Sequence, residues 1–600
     1  MKRREQSQTE QLRQALSERE AQLREAQARL AALEGSTSLQ VGRALTAAAK
    51  RPGRGLVRLP RDLFRLWRKS GTTRQSAGGR RRPQPVRSYD AERQEARLLA
   101  GNIGNRDDRL VVAGVLSPEV HAAVEPYVRV IALRPQDAQV VFESVDVDAV
   151  LVSASAAATG SLWAHVGDPS SGDRTRALNW LVEAAASRGV PSILLNDAPA
   201  PPALATLPFD LVHDGGVGVP LHRFNPIAAE PERQADPVHL PSVGNSGVVA
   251  NRLVDMLVRD SGLRRADPGW AEEPATLRAA STVVVDDPAL ADRAMACGAR
   301  ALLLGGSPEE DAEPPNGAGR APGSVRVPVD ASALSSGAAA EGLARVRAAG
   351  PLSPEELRLV LRSVFLTDAT PVRLADILGR VDFAPGSGSP SASLRIRQVS
   401  VLAAPADDIT ALAFADDILN QEYAPAEIVL PDGVDHLAGV ARLRSAGIPM
   451  RTVRGIDTDA ESGSAPGPAA WAALARGATS PWVALWRAPR GAAFLADVLC
   501  AAECSGADAV GPAVPWWGSG APASADGGDG GSAIDDAVAG QDYVFVSAIE
   551  PDLARTQLVR RGLQPGVWNR HGARLLALGP QPDADREAEP GQVGSTPDAG

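Results

Sequence analysis

Aromatic residues are scarce in this chain, at 4% of 600 positions, and only three cysteines occur, Cys297, Cys500 and Cys504. Cys500 and Cys504 stand four apart in LCAAECSG, a spacing that reads as one face of a buried helix. With no histidine or further cysteine beside them, a structural role is the simpler reading and a metal site the weaker one. No run approaches the roughly 18 apolar residues of a membrane span. The start, MKRREQSQTEQ, has no apolar stretch behind its charges, so it does not read as a secretory signal. These absences suit a reducing cytoplasm.

What is present is ordinary globular composition, 44% hydrophobic and 22% charged, rich in alanine, glycine and proline. At about 150 residues per domain, the length predicts three or four domains. The net charge of −10 hides an asymmetry. Fourteen lysines and arginines lie between 41 and 87 against one acid, Asp62, so that segment is +13 and the remainder −23. A basic block on an acidic body calls for an anionic partner.

Along the chain, Leu12, Leu16, Leu23, Leu30 and Leu33 fall on a heptad stripe. It predicts a coiled-coil helix within 1–40, through which chains could pair as a homo-oligomer, or a lone amphipathic helix. In GLVRLPRDLFRLWRK, 55–69, Phe64 and Trp67 interleave with arginines. A basic amphipathic helix of this kind suits an anionic membrane surface, contacted through 41–87. Docking against the following domain is the plainer alternative. Nucleic acid is set aside, since no groove-reading module or stacking platform accompanies the charge. Residues 70–90 read as linker.

From about 109 the pattern becomes strand, helix, strand: RLVVAGVLS, PEVHAAVEPY, VRVIALR, DAVLVSA, RALNWLVEAAASRG, VPSILLND, PFDLVHDG. That rhythm predicts a parallel, doubly wound sheet. STVVVDD, PALADRAMACG, ARALLLGG and SVRVPVD predict a second such unit, and Ser353-Pro354-Glu355-Glu356 marks a helix start. RQVSVLAAP, AEIVLPDG, SPWVALW and GADAVGPAV predict the strands of a third. The expected organisation is a coiled coil (1–40), a basic segment and linker (41–90), two Rossmann-like units (91–235 and 236–383), a linker (384–396), a third α/β unit (397–580) and a disordered tail (581–600).

Two resemblances follow from these pieces. VDVDAVLVSAS leading to Trp163, SRGVPSILLNDAPAP with Gly189, Pro191, Asn196 and Pro199, PFDLVHD, DRAMACGARALLL and LRSVFLTDATPVRLADILGRV resemble, in order, the spore-maturation-protein-like glycosyltransferases, whose fold is GT-B. VSVLAAP, ILNQEYAPAEIVLPDG with Gln421, Tyr423, Pro425, Glu427, Ile428 and Gly433, and AAWAALARGATSPWVALWRAPR resemble a family 2 glycosyltransferase of GT-A fold. The resemblances imply a GT-B-like pair of Rossmann units followed by a GT-A-like unit. They imply transfer of a sugar from a nucleotide-sugar donor to a glycan or lipid-linked acceptor in cell-surface polysaccharide assembly, with the protein cytoplasmic and peripheral at the inner membrane face. A non-catalytic scaffold of the same ancestry, binding a glycan or nucleotide, is the alternative.

The departures bear on mechanism. A family 2 enzyme holds its donor through a divalent metal, whose hardness demands carboxylates. Where the resemblance places them this chain has Arg487, Ala488, Pro489 and Arg490. Pro431 replaces the first acid of the neighbouring turn and Asp432 remains. Arg293 stands where the GT-B family has its ribose-binding glutamate. No metal and no other cofactor are therefore expected. The substrate-binding candidates are Trp163, Asn196, Asp197 and Asp432, for each of which a packing or turn-capping role competes. No catalytic residue is assigned.

Overall fold

Among the described residues three sheets carry the molecule, and most of their central strands follow from apolar runs. The computed structural model describes residues 109–229, 232–242, 248–305, 324–327, 337–383, 389–456, 467–514, 542–562 and 564–579, all within the unit Ser88–Gly600. The expected coiled coil, the basic segment 41–87 and the acidic tail lie outside the described residues.

The first sheet contains β1 (Val111–Val115), β2 (Arg129–Ala132), β3 (Ala149–Ser153), β4 (Ser192–Asn196) and β5 (Leu211–Asp214), in the order β2-β1-β3-β4-β5. All four pairings are parallel. AVLVS and SILLN are almost continuously apolar because helices cover both faces. The second sheet contains β6 (Val238–His239), β7 (Arg264–Arg265), β8 (Thr282–Val285), β9 (Arg300–Leu304) and β10 (Ser324–Val327), in the order β10-β9-β8-β6-β7. It is also wholly parallel and repeats the winding of the first.

The third sheet is mixed. It contains β11 (Val399–Leu402), β12 (Glu427–Pro431), β13 (Met450–Val453), β14 (Trp482–Leu485), β15 (Ala509–Gly511), β16 (Val544–Val546), β17 (Leu553–Arg555) and β18 (Leu575–Ala577). Their order is β13-β12-β11-β14-β17-β15-β18-β16. β13, β12, β11 and β14 run parallel, and β17 lies antiparallel between β14 and β15.

Packing crosses the boundaries read from the sequence. Leu221 and Phe224 join the core of the second and third sheets. Conversely, Leu374, Ile377 and Leu378 join the core of the first, beside Leu110, Val124 and Leu151. The chain makes this return through two helices, Pro354–Ser363 and Thr370–Gly379, joined by the π turn Val364–Asp368. Ser353 caps the first helix in a full capping box with Glu356, as its sequence predicts.

The segment expected as linker, 384–396, is in part a packed element. Pro390–Arg397 is 3-10 helical, with Ala392, Ser393 and Arg397 buried. Ser393 donates to the Pro371 carbonyl at 3.0 Å. Its glycine- and serine-rich lettering conceals this, because the residues that dock it are few. Among the described residues no helix is long and apolar enough to cross a membrane.

Candidate functional site

In open α/β sheets, ligands bind beyond the carboxyl ends of the strands, where the winding reverses. The three sheets therefore offer three places to inspect: between β1 and β3, between β6 and β8, and between β11 and β14.

At the first, serines and one carboxylate close on each other. The Ser153 hydroxyl accepts from the Ser117 amide at 3.0 Å, and Ser117 in turn caps the helix Pro118–Val124. Asp197, just past β4, accepts the Ser155 amide at 3.0 Å and the Ser155 hydroxyl. Burial pushes the Asp197 carboxyl up despite those bonds. Asn196 donates to Asp214 on β5 at 3.0 Å, which leaves its buried side-chain oxygen without a partner. Asn196 and Asp197 thus share this edge. Trp163 is elsewhere in character: it is 2% exposed in the core of the first sheet, and its indole N–H donates to the Leu133 carbonyl at 2.8 Å. A satisfied, enclosed indole is a packing group.

The loop after β5 carries this edge toward the second sheet. A Cβ on Gly216 would touch that of Asp197 at 3.9 Å, and one on Gly218, at φ +79, would collide with the Asp368 carbonyl oxygen. That carbonyl accepts the Val219 amide at 2.8 Å, and Thr370 N–H returns a 3.0 Å bond to Val219. The π turn therefore packs directly against the loop that leaves the first sheet, and such turns recur at functional sites. Asp368 accepts from Arg373 Nε at 3.0 Å.

Asp292 belongs to this charge cluster. Burial, reinforced by the Asp368 charge, pushes its carboxyl up to about 7, with Arg326 and Arg373 opposing. A carboxyl that titrates near neutrality is a candidate for proton transfer. Asp287 caps the helix Pro288–Ala296 by accepting the Ala289 amide at 2.9 Å, and the buried Oδ1 of Asp286 has no partner. Arg326 forms no ion pair among the described residues. Arg293, on the same helix, turns the other way. It sits 3.4 Å from Glu273 and over the rings of Phe224 and Trp270, at 5.1 and 5.2 Å.

At the third switch point the charges are already matched. Arg487 bonds Glu550 at 2.9 Å, and Arg490 bonds Asp552, which is buried. The Arg490 backbone and Trp486 indole donate to Asp417 at 2.8 and 3.2 Å. Burial pushes Asp552 up, against the pull of both arginines. Asp432 lies exposed past β12, its amide bonded to the Val453 carbonyl at 2.9 Å. Among the described residues, no group of three or more His, Cys, Asp or Glu side chains is arranged to hold a metal. Trp516 and Trp517 lie outside the described residues, and Trp568 is 3% exposed.

Sequence reasoning missed Asp292, Asp368, Arg373 and Arg326. Asp292 and Asp368 fall within the quoted segments DRAMACGARALLL and LRSVFLTDATPVRLADILGRV, but nothing in either marks an acid that folding brings against another acid. No protein-family model matches the chain, and no curated protein matches it in sequence.

Proposed function

We propose that this protein is a glycosyltransferase-family protein of cell-surface glycan assembly, with a nucleotide-sugar donor seated in the crevice between the first and second sheets. One observation carries the reading: at the carboxyl ends of β4 and β8 buried side-chain oxygens are left without partners. The buried oxygens of Asn196 and Asp286 lack partners, Arg326 has no ion pair among the described residues, and Asp292 is held near neutrality. A bound donor would supply the missing partners, which is the usual resolution for buried polar groups. Two sheets with the 2-1-3-4-5 winding of doubly wound nucleotide-binding folds support it, as does the resemblance of both halves to GT-B enzymes.

In this reading Arg326 and Arg373 face the leaving diphosphate, whose charge guanidinium groups can neutralise without a metal. Asp292 exchanges the proton of the acceptor hydroxyl. The third unit is GT-A-like in descent and takes no donor. The acceptor would be a glycan or a lipid-linked sugar, and the basic segment 41–87 would hold the chain to an anionic membrane face.

A second reading, a catalytically inactive scaffold, is favoured by the closed pairs Arg487–Glu550 and Arg490–Asp552. Sugar transfer or nucleotide-sugar hydrolysis by the full chain separates the two. Activity lost in the Asn196→Ala, Asp197→Ala double variant and retained in Arg487→Ala, Arg490→Ala supports the crevice. The reverse pattern moves the donor to the third unit, and no turnover across a broad donor panel leaves the scaffold.

A further inference from the structure

At the opposite strand ends of the third sheet lies a cavity of about 470 Å³, lined by Thr479, Asp508, Arg555, Thr556, Arg560 and Arg561 among others. It opens beside the start of β14 and the end of β17, where Trp482 pairs with Arg555. Arg487 and Arg490 follow the other end of β14, so this cavity is not part of the third switch point.

Three arginines share that space with one carboxylate, on a chain whose net charge is −10. The carboxylate compensates them poorly. Asp508 Oδ2 accepts the Arg574 amide at 3.0 Å, while Oδ1 lies 3.9 Å from Arg555 Nε, at the outer limit of an ion pair. Arg561 is exposed and has no ion-pair or hydrogen-bond partner for its side chain among the described residues. Arg555 lies over the Trp482 ring at 4.2 Å, which fixes the plane of its guanidinium. Burial holds Arg555 below arginine's usual range, the mark of a cation short of counter-charge. Arg560 is anchored by donating to the Ala475 and Ala478 carbonyls, through Nε at 2.9 Å and through Nη2. Its Nη1 has no bond in that anchor.

We propose that this cavity is a phosphoryl-binding site, separate from the crevice assigned to the donor. Arginine's planar fork matches two phosphate oxygens at once, and one ring-stacked guanidinium with a second anchored near it is organised before the anion arrives. The volume exceeds that of a phosphate, so part of the molecule carrying it would enter too. That molecule is either a free phosphorylated metabolite or a lipid with a phosphate headgroup.

The test uses the full chain, its Arg555→Gln, Arg561→Gln double variant, Arg561→Gln alone and Arg487→Gln. Pyrophosphate binding is measured by calorimetry, and binding to phosphatidylglycerol vesicles, against phosphatidylcholine vesicles, by sedimentation, every chain also carrying Arg326→Gln and glutamine for the basic residues of 41–87, so that neither the donor site nor that segment answers for the cavity. The double variant should bind at least one probe about tenfold more weakly. Arg561→Gln, which breaks no hydrogen bond or ion pair among the described residues, should share part of the loss, and Arg487→Gln should share none. Loss confined to pyrophosphate assigns a soluble ligand, and loss confined to vesicles assigns a headgroup. No binding of either probe, or binding that the double variant leaves intact, overturns the proposal.

Discussion

Arg397 and Glu503 form a two-bond ion pair, Nε to Oε2 at 2.6 Å and Nη2 to Oε1 at 3.0 Å, with both side chains largely sealed from water. The Tyr127 hydroxyl, from the first unit, donates to the same carboxylate at 2.7 Å. Arg362 makes a similar fork to Asp497, and Arg358 one to Asp542. The third unit is therefore joined to both of the others by buried charge, and all three should unfold in one transition.

Removing one partner of such a pair strands the other without water. Glu503→Ala should cost about 3–5 kcal/mol, whereas replacing both partners, Arg397→Met with Glu503→Leu, should cost far less. Chemical denaturation of the two variants checks this. A loss below about 1 kcal/mol in Glu503→Ala would mean that the pair is not buried in solution.

Asp292 gives a pH signature. Its carboxyl is raised to about 7 in the folded chain, against about 4 for an unfolded aspartate. Between those values the folded state binds more protons than the unfolded, so stability falls as pH rises from about 4 to about 7. Asp292→Asn removes that loss. Thermal midpoints of variant and parent should agree near pH 4 and separate in the variant's favour by pH 8. A constant gap across this range would place Asp292 in water.

The third unit should be indifferent to metal. With Arg487 and Arg490 at its switch point, Mn²⁺ should not strengthen the binding of UDP or GDP to the full chain by calorimetry. Metal-enhanced nucleotide binding would mean that Asp432, Glu550 or Asp552 ligates a cation after all.

Much of the fold could be read in advance wherever a strand is buried on both faces. VVAGV, AVLVS and SILLN announce themselves by continuous apolar lettering. β6 and β7 do not, because they are two residues long and β7 is Arg264–Arg265. Their place is set by parallel pairing with neighbours far along the chain, not by any local preference. The site divides the same way. Asn196 and Asp197 stand out as candidates because they lie at and just past the end of a legible strand. Trp163, a ligand-contact candidate by its place after a strand, has its indole satisfied by Leu133, a carbonyl thirty residues away that no spacing rule connects to it. Asp292 and Asp368 lie 76 positions apart in sequence and become neighbours only because the chain returns through the π turn.

The most direct test of the donor crevice is a panel of nucleotide-sugars scored by thermal stabilisation of the full chain, since a ligand bound to the native state alone stabilises it by about 2.7 kcal/mol at a hundred times its dissociation constant. At least one member should raise the midpoint, the rise should shrink in Asn196→Ala and in Arg326→Gln, and it should persist in Arg487→Ala. A rise that disappears in Arg487→Ala while surviving both crevice variants, or no rise with any donor, would contradict the account.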